Sequence, residues 1–222
     1  MMLVDAEQNG YEPTGIISFR VNLAPTSQQS KRAVKDDFTK ACKEAMAKVP
    51  VILYGEVKVD IEWYIHEQDR YETDAAPDVD NILKPLLDGL YGPDSLLIDD
   101  CQVQEVSCRW IDSATHDQSV DIEIRHRPDD WLRRDSLSFV EFDNHLCMPV
   151  SDSAPREAKI LLLEAWKLAF ATREELLQKR WDWYSANSVM PIIRPFHKSR
   201  VIKRFKVISV DAMMRELVDR SS

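Results

Sequence analysis

Acidic side chains and a single lysine are concentrated in residues 77–103, which read PDVDNILKPLLDGLYGPDSLLIDDCQV. Asp80, Lys84 and Asp88 follow one another at helical spacing, so on a helix they share one face. Asp78 lies two residues before Asp80, and in an extended segment two such side chains project to the same side. The spacing therefore predicts carboxylates gathered beside one lysine.

A second acidic pair, Asp99-Asp100, follows the turn at Gly92-Pro93, and the chain can return this pair to the N-terminal end of the helix. Carboxylates at such density repel one another unless a cation lies among them. Mg²⁺ prefers hard oxygen ligands, and ions held in this way neutralise a phosphodiester and activate a water. A neighbouring lysine can contact the scissile phosphate. The pattern favours a magnesium site that acts on phosphodiesters.

Spacing alone leaves a purely structural alternative open. Asp80 can be the N-cap of the helix, Lys84 and Asp88 can form an exposed pair, and Asp99-Asp100 can be part of an ordinary turn. A calcium loop is disfavoured, because the regular loop pattern with its central glycine is absent.

The elements that must position these residues predict an α+β fold, a small mixed β-sheet with helices on one face. Alternating or β-rich patterns predict strands, and the apolar stripe Val34, Phe38, Ala41, Cys42 and Ala45 predicts a helix. Pro85 is compatible with a second helix if that helix begins near Asn81 or later. The predicted strands are 16–23, 56–66, 103–111 and 119–126, and the predicted helices are 27–49 and 81–91.

Residues 129–222 differ from the first 128 and are predicted to form a largely helical C-terminal extension. A helix starts after Ser153-Ala154-Pro155, and a capping-box pattern at Thr172 and Glu175 leaves one long helix or two abutting helices open. Residues 137–142 are a candidate strand, 201–208 have the alternation of an exposed edge strand, and 210–219 a final helix. We therefore divide the chain into domains at 1–128 and 129–222.

Charge is distributed unevenly over these two parts. The net charge is -9, which argues weakly against nucleic acid as a partner. Residues 1–128 contain 13 Lys+Arg and 24 Asp+Glu, whereas residues 129–222 contain 16 and 14. A basic segment, residues 194–206, has six basic side chains and no acid, and either contacts phosphates or forms a solvated edge. Its basic residues are Arg194, Lys198, Arg200, Lys203, Arg204 and Lys206.

Composition narrows the class of protein further. No apolar run approaches the ~20 residues of a membrane span, and the N-terminus has no basic region of a signal peptide, so we expect a cytoplasmic protein without a membrane partner. The four cysteines form no CxxC pair, which disfavours a zinc site. No glycine-rich phosphate loop exists, and we expect no nucleotide cofactor.

The acidic segment resembles the signature of RusA-type Holliday-junction resolvases, D-x-D-N-x-x-K, then D-x-L, then D-D-x-Q-[IV]. The matching residues are Asp78, Asp80, Asn81, Lys84, Asp88, Leu90, Asp99, Asp100, Gln102 and Val103. The order of strands and helices from about residue 15 to 126 is similar to that fold as well. Two features depart from the family: the residues before Asp78 are acidic, YETDAAP, where family members have basic ones, and residues 129–222 have no counterpart in its small members.

The resemblance implies a homodimeric, Mg²⁺-dependent endonuclease, with Mn²⁺ as a possible substitute, that acts on branched DNA in recombination or repair. It assigns Asp78, Asp80 and Asp100 as the metal carboxylates and Lys84 as the essential lysine. Asn81, Asp88 and Asp99 take supporting positions.

Two competing functions remain open from the sequence. One is a catalytically inactive RusA-like module that binds DNA or a protein partner through the C-terminal extension. The other is a metal-dependent phosphohydrolase of RNA or nucleotides.

Overall fold

The computed structural model describes residues 14–74 and 76–219, so the expectation about the extreme N-terminus lies outside the described residues. The chain divides into two compact units after Arg134, a few residues beyond the boundary drawn from the sequence. The first unit contains, in chain order, β1 (Ile16–Val21), α1 (Arg32–Met46), β2 (Val51–Leu53), β3 (Val57–Ile65), α2 (Glu67–Tyr71), α3 (Val79–Leu90), β4 (Val103–Asp112), β5 (Ser119–His126) and β6 (Trp131–Arg133).

The main sheet of the first unit has four strands in the order β1-β5-β3-β4. The pair β3 and β4 is parallel, while β5 runs antiparallel to both β1 and β3, so the sheet is mixed as the sequence predicts. A second pairing joins β2 and β6 in antiparallel fashion. The α+β architecture inferred from the alternating strands is therefore confirmed.

Alternation places one face of this sheet in the core. Val59, Ile61 and Trp63 of β3 are at most 1% exposed, while the intervening Lys58, Asp60 and Glu62 lie on the opposite, solvated face. Both α1 and α3 cover the buried face, and their apolar residues join the same cluster as the strands. The helices contribute Phe38, Cys42 and Met46 from α1 and Ile82, Leu86 and Leu90 from α3.

The predicted bounds of the first two helices need correction. Helix α1 begins at Arg32, because Ser27 and Ser30 bond to each other and to nearby backbone in a turn instead of opening the helix. Helix α3 begins at Val79, so Pro85 lies inside it and is buried. Gly89 keeps α3 close to α1, since a Cβ there would lie 3.1 Å from the Cys42 Sγ.

The second unit combines helices with a sheet of its own. Its elements are β7 (Leu137–Glu141), β8 (Leu146–Ser151), α4 (Arg156–Gln178), α5 (Trp183–Asn187), β9 (Phe196–His197), α6 (Lys198–Val201), β10 (Val207–Ser209) and α7 (Val210–Asp219). Helix α4 continues through the capping-box pattern, which decides for one long helix.

The sheet of the second unit has the order β10-β7-β8-β9, and the sequence predicted only β7 of its four strands in full. The strand predicted from the alternation at 201–208 is wrong over most of its length, because Val201 ends helix α6, residues 202–205 form turns and a bend, and only Val207–Ser209 pairs, parallel to β7. Within the described part of the chain, no helix is long and apolar enough to span a membrane.

Candidate active site

Asp78 is the N-cap residue of α3, but its side chain does not cap the helix. Its backbone is extended, with φ -69° and ψ 154°, and the carboxylate forms no capping hydrogen bond. The Asp78 side chain is 75% exposed, and its Oδ1 lies 3.9 Å from Nη2 of Arg70. Asp80 follows in the first turn of α3 and is exposed. The structural alternative that Asp80 is the N-cap is thus wrong, because Asp78 occupies that position. The Asp78 carboxylate makes no capping hydrogen bond and is available for other contacts.

Asp99 and Gln102 organise the second acidic pair. Residues Asp100–Gln102 form a 3-10 turn, and Asp99 caps it by accepting a hydrogen bond from the Cys101 N–H at 3.2 Å. The Gln102 side chain is 4% exposed, and its Oε1 accepts from the backbone N–H groups of Ile98 and Asp99. Its Nε2 donates to the carbonyls of Leu53 and Gly55 at 2.9 and 2.8 Å. These bonds attach the acidic turn to β2 and the loop that follows it.

The segment between α3 and this turn determines where Asp100 lies. Leu96, Leu97 and Ile98 are buried, with Leu97 N–H donating to Leu90 O at 3.0 Å and Leu53 N–H donating to Leu96 O at 2.7 Å. The chain is therefore held against the end of α3 and against β2. As a result, Asp100 is returned to α3, where its carboxylate contacts the Lys84 ammonium at 3.3 Å.

Lys84 lies at the centre of the resulting cluster. Its ammonium donates to Asp88 Oδ1 at 2.5 Å and to Asp100 Oδ2 at 3.3 Å. Tyr91 donates its hydroxyl to the same Asp88 oxygen at 3.1 Å, and the Lys84 ammonium is 5.8 Å from the centre of the Tyr91 ring. The hydrogen bond to Asp88 raises the pKa of Lys84 above its ordinary value, so the lysine is a cation at neutral pH. Burial raises the pKa of Tyr91, which stays a neutral donor.

The predicted site residues are therefore brought together in part. Lys84, Asp88 and Asp100 are in direct contact, while Asp78 and Asp80 are exposed at the start of the same helix. Among the residues that the structure describes, no group of three or more His, Cys, Asp or Glu side chains is arranged to hold a metal ion. The donor chemistry fits Mg²⁺, since all the predicted ligands are carboxylate oxygens. In this structure Asp100 contacts Lys84, while Asp78 and Asp80 are exposed.

Asn81 borders an open groove beside the start of α3. Its carbonyl accepts a hydrogen bond from the Gln28 N–H at 2.9 Å, which ties the loop before α1 to α3. The groove is lined by this loop and by the residues before α3, including Thr26, Ser27, Asp74, Asp78 and Asn81. It brings the Pro25–Ser27 loop next to the first carboxylate.

The basic segment, residues 194–206, belongs to the second unit and is described within that unit alone. Arg194, Arg200, Lys203 and Lys206 are exposed, and Arg204 is half-buried. The Lys198 ammonium donates to Glu141 Oε2 at 2.8 Å, so its charge is balanced inside the unit. Phosphate contact by the other five residues stays a prediction.

A scan against protein-family models matches residues 11–125 to Endodeoxyribonuclease RusA. The match covers more than half of the chain and includes the whole acidic segment. The chain belongs to the RusA endodeoxyribonuclease family. Membership makes it an endonuclease, a hydrolase that acts on DNA. No curated protein matches the chain.

As a RusA-family chain, the protein has contacts at the site that the motif does not include. Tyr91 donates its hydroxyl to Asp88 from the end of α3, and the spacing of three residues between them is the signal in the sequence that could have indicated this contact. Arg70 contacts the segment before α3 from an otherwise acidic loop. Gln102 is part of the motif, but its four buried hydrogen bonds become evident only when β2 and the acidic turn are in place.

Proposed function

We propose that this RusA-family protein is a divalent-metal-dependent endonuclease that cleaves Holliday junctions or related branched DNA during recombination or repair. Mg²⁺ is the proposed ion, and Mn²⁺ is expected to replace it. When bound, such an ion would neutralise the phosphodiester, activate a water and stabilise the leaving oxygen.

The observation that carries the proposal is the approach of Lys84 to Asp100. These residues belong to the two halves of the family motif, separated by the end of α3 and a buried return segment. Lys84 is 49% exposed, and both of its carboxylate partners, Asp88 and Asp100, belong to the motif. It is well placed to meet a negatively charged phosphate.

Roles for the metal carboxylates and for Lys84 follow from the family motif, and roles for the supporting residues follow from their contacts. Asp78, Asp80 and Asp100 are the proposed metal carboxylates, and Lys84 is the proposed contact of the scissile phosphate. Asp88 supports Lys84 by accepting its hydrogen bond. Asp99 and Asn81 support the site through the 3-10 turn and the loop before α1.

The branched substrate and the dimer belong to the same proposal. A four-way junction has two strands to cut at equivalent positions, and a two-fold symmetric dimer would present one site to each. The loop before Asp78 is acidic and would not attract phosphates. The basic segment of the second unit would supply phosphate contacts in its place. Sedimentation of the full chain with and without a synthetic junction tests the dimer.

The direct test of the activity is a gel assay. The full chain is incubated with a four-way junction, a flap and a linear duplex, each with Mg²⁺, Mn²⁺ or EDTA. We expect metal-dependent cleavage of the junction and no cleavage by the Asp80→Asn variant. Junction binding without cleavage would support the inactive module instead. An unchanged rate for Asp80→Asn would overturn the assignment of that carboxylate.

A further inference from the structure

Arg70 is the only lysine or arginine between β3 and α3, where Glu67, Asp69, Glu72 and Asp74 surround it in sequence. Its side chain is nevertheless only 17% exposed. The guanidinium lies 5.8 Å from the centre of the Trp63 ring, and Trp63 is a fully buried core residue of β3. Such burial of a cation needs an explanation beyond solubility.

From this position Arg70 reaches the residues that open α3. Its Nη1 donates to the carbonyl of Pro77 at 3.2 Å, and Nη2 lies 3.9 Å from Asp78 Oδ1. The Nε is buried and forms no hydrogen bond. Arg70 thus donates a hydrogen bond to the backbone before Asp78 and lies within ion-pair distance of the Asp78 carboxylate.

The one-turn helix α2, which carries Arg70, is itself attached to the end of β4 and to the loop that follows β4. The Glu67 N–H donates to Asp112 Oδ1 at 2.9 Å, and His116 Nδ1 lies 2.9 Å from Asp69 Oδ2. At the start of α2, His66 Nδ1 accepts from the Gln68 N–H at 3.1 Å. Because both the backbone and the side chains of α2 are hydrogen-bonded, the position of Arg70 is fixed relative to β4.

Asp78 needs such an external support because the helix does not provide one. A capping aspartate is held by the N–H groups of the first turn, and Asp78 makes no such bond. Without Arg70, the Asp78 side chain would keep its rotamer freedom, and the Pro77 carbonyl would lose its donor.

We propose that Arg70 is a positioning residue that fixes the Pro77-Asp78 segment, so that the Asp78 carboxylate is oriented for metal binding. This inference rests on the proposed function, in which Asp78 is a metal ligand. Arg70 would act as an outer partner of the site, and changes of such partners typically weaken metal affinity by about 10-fold to 100-fold.

The experiment measures Mn²⁺ binding to the full chain by isothermal titration without DNA. We compare wild type with Arg70→Gln, Arg70→Lys and Asp78→Asn. Arg32→Gln is the matched control, since Arg32 is an arginine of the same unit whose side chain is 94% exposed. We expect Arg70→Gln to raise the Mn²⁺ Kd about 10-fold, Arg70→Lys to restore part of the affinity, and Arg32→Gln to leave it unchanged.

The sign of the change separates positioning from simple charge. If Arg70 acted only as a nearby positive charge, its removal would reduce repulsion and tighten Mn²⁺ binding, and that result would overturn the proposal. A purely structural arginine would lower Tm in both Arg70 variants but leave the Kd of the folded protein unchanged, which also overturns it. If Arg70→Gln does not fold, the Mn²⁺ Kd of Arg70→Lys decides, because this variant retains the cation and the stem beside Trp63 while losing one of the two contacts. A Kd above that of wild type supports the proposal, and a wild-type Kd overturns it.

Failure of the proposed function has a different signature. Wild type that does not bind Mn²⁺, or Asp78→Asn that binds it like wild type, would overturn the assignment of Asp78, and the role of Arg70 with it. If Asp78→Asn loses Mn²⁺ binding while Arg70→Gln binds Mn²⁺ with the wild-type Kd, the inference about Arg70 is overturned and the assignment of Asp78 stands. As a second readout, the cleavage defect of Arg70→Gln should shrink at high Mg²⁺ concentration.

Discussion

The Lys84 ammonium and the Asp100 carboxylate lie 3.3 Å apart, although sixteen residues separate them along the chain. This contact joins the face of α3 to the acidic turn. It depends on the buried segment Leu96–Ile98, which returns the chain beside the helix. The two halves of the RusA motif thus form one surface only because an apolar segment without charges connects them.

Substitution of Lys84 is expected to abolish most of the activity while preserving the fold. Lys84→Met removes the cation that would meet the scissile phosphate, and we expect cleavage of a four-way junction to fall by at least about 100-fold. Lys84→Arg should recover little, because a planar guanidinium does not reproduce the compact ammonium. Lys58→Met is the control, since Lys58 pairs with Glu105 on the solvated face of the sheet. Equal loss in both variants would argue against a specific role for Lys84.

Asp78 and Asp99 should separate function from stability. Asp99→Ala removes the cap of the 3-10 turn and should lower the free energy of unfolding by at least about 1 kcal/mol. Asp78→Ala removes no capping bond, so we expect the free energy of unfolding to change by no more than about 0.5 kcal/mol. The same variant should lose cleavage activity by at least about 100-fold, because it lacks a proposed metal ligand. Chemical denaturation and junction cleavage of both variants provide the measurement. A large destabilisation in Asp78→Ala would mean that its carboxylate is structural.

The sequence predicted the main sheet chiefly because β3 and β5 each bury one face, and alternation over these two strands reports this burial directly. It also selected Lys84 and Asp88, since helical spacing fixes their relation. It also anticipated that the Asp99-Asp100 pair returns to α3, but the contact of Asp100 with Lys84 depends on hydrogen bonds between segments distant in sequence, such as Gln102 with Leu53, which no local pattern reports. The sheet of the second unit escaped prediction for a similar reason: β9 and β10 have two and three residues, too few to show a period.

Gln102 is expected to be a stability residue that acts on the site indirectly. Gln102→Leu has a similar volume but leaves the N–H groups of Ile98 and Asp99 and the carbonyls of Leu53 and Gly55 without their partners. We expect the free energy of unfolding to fall by about 3 kcal/mol. The exposed neighbour Gln104 provides the matched control, Gln104→Leu, which should change stability by less than about 0.5 kcal/mol. Similar denaturation curves for both variants would contradict the buried network.

The titration of Lys84 offers a test that does not depend on catalysis. Its pKa in the folded protein is raised above 10.5, chiefly by the hydrogen bond to Asp88, with a smaller contribution from the bond to Asp100. A raised folded pKa means that the pairing contributes stability that is fully present below the unfolded pKa of 10.5 and is lost as the pH rises through the higher folded value. The difference in stability between wild type and Lys84→Met should therefore shrink as the pH rises through that alkaline window.

Carbon-13 chemical shifts of the Lys84 side chain, followed as the pH is raised, would measure the pKa itself. We expect Asp88→Asn to return the midpoint toward the ordinary lysine value, and Asp100→Asn to lower it by less, because the shorter contact is the one at 2.5 Å. Glu44→Gln is a suitable control, since Glu44 pairs with a different lysine on α1. If Asp100→Asn had the larger effect, the ammonium would lie closer to the acidic turn than to Asp88. The order of the two shifts therefore reports which carboxylate holds Lys84 before DNA is bound.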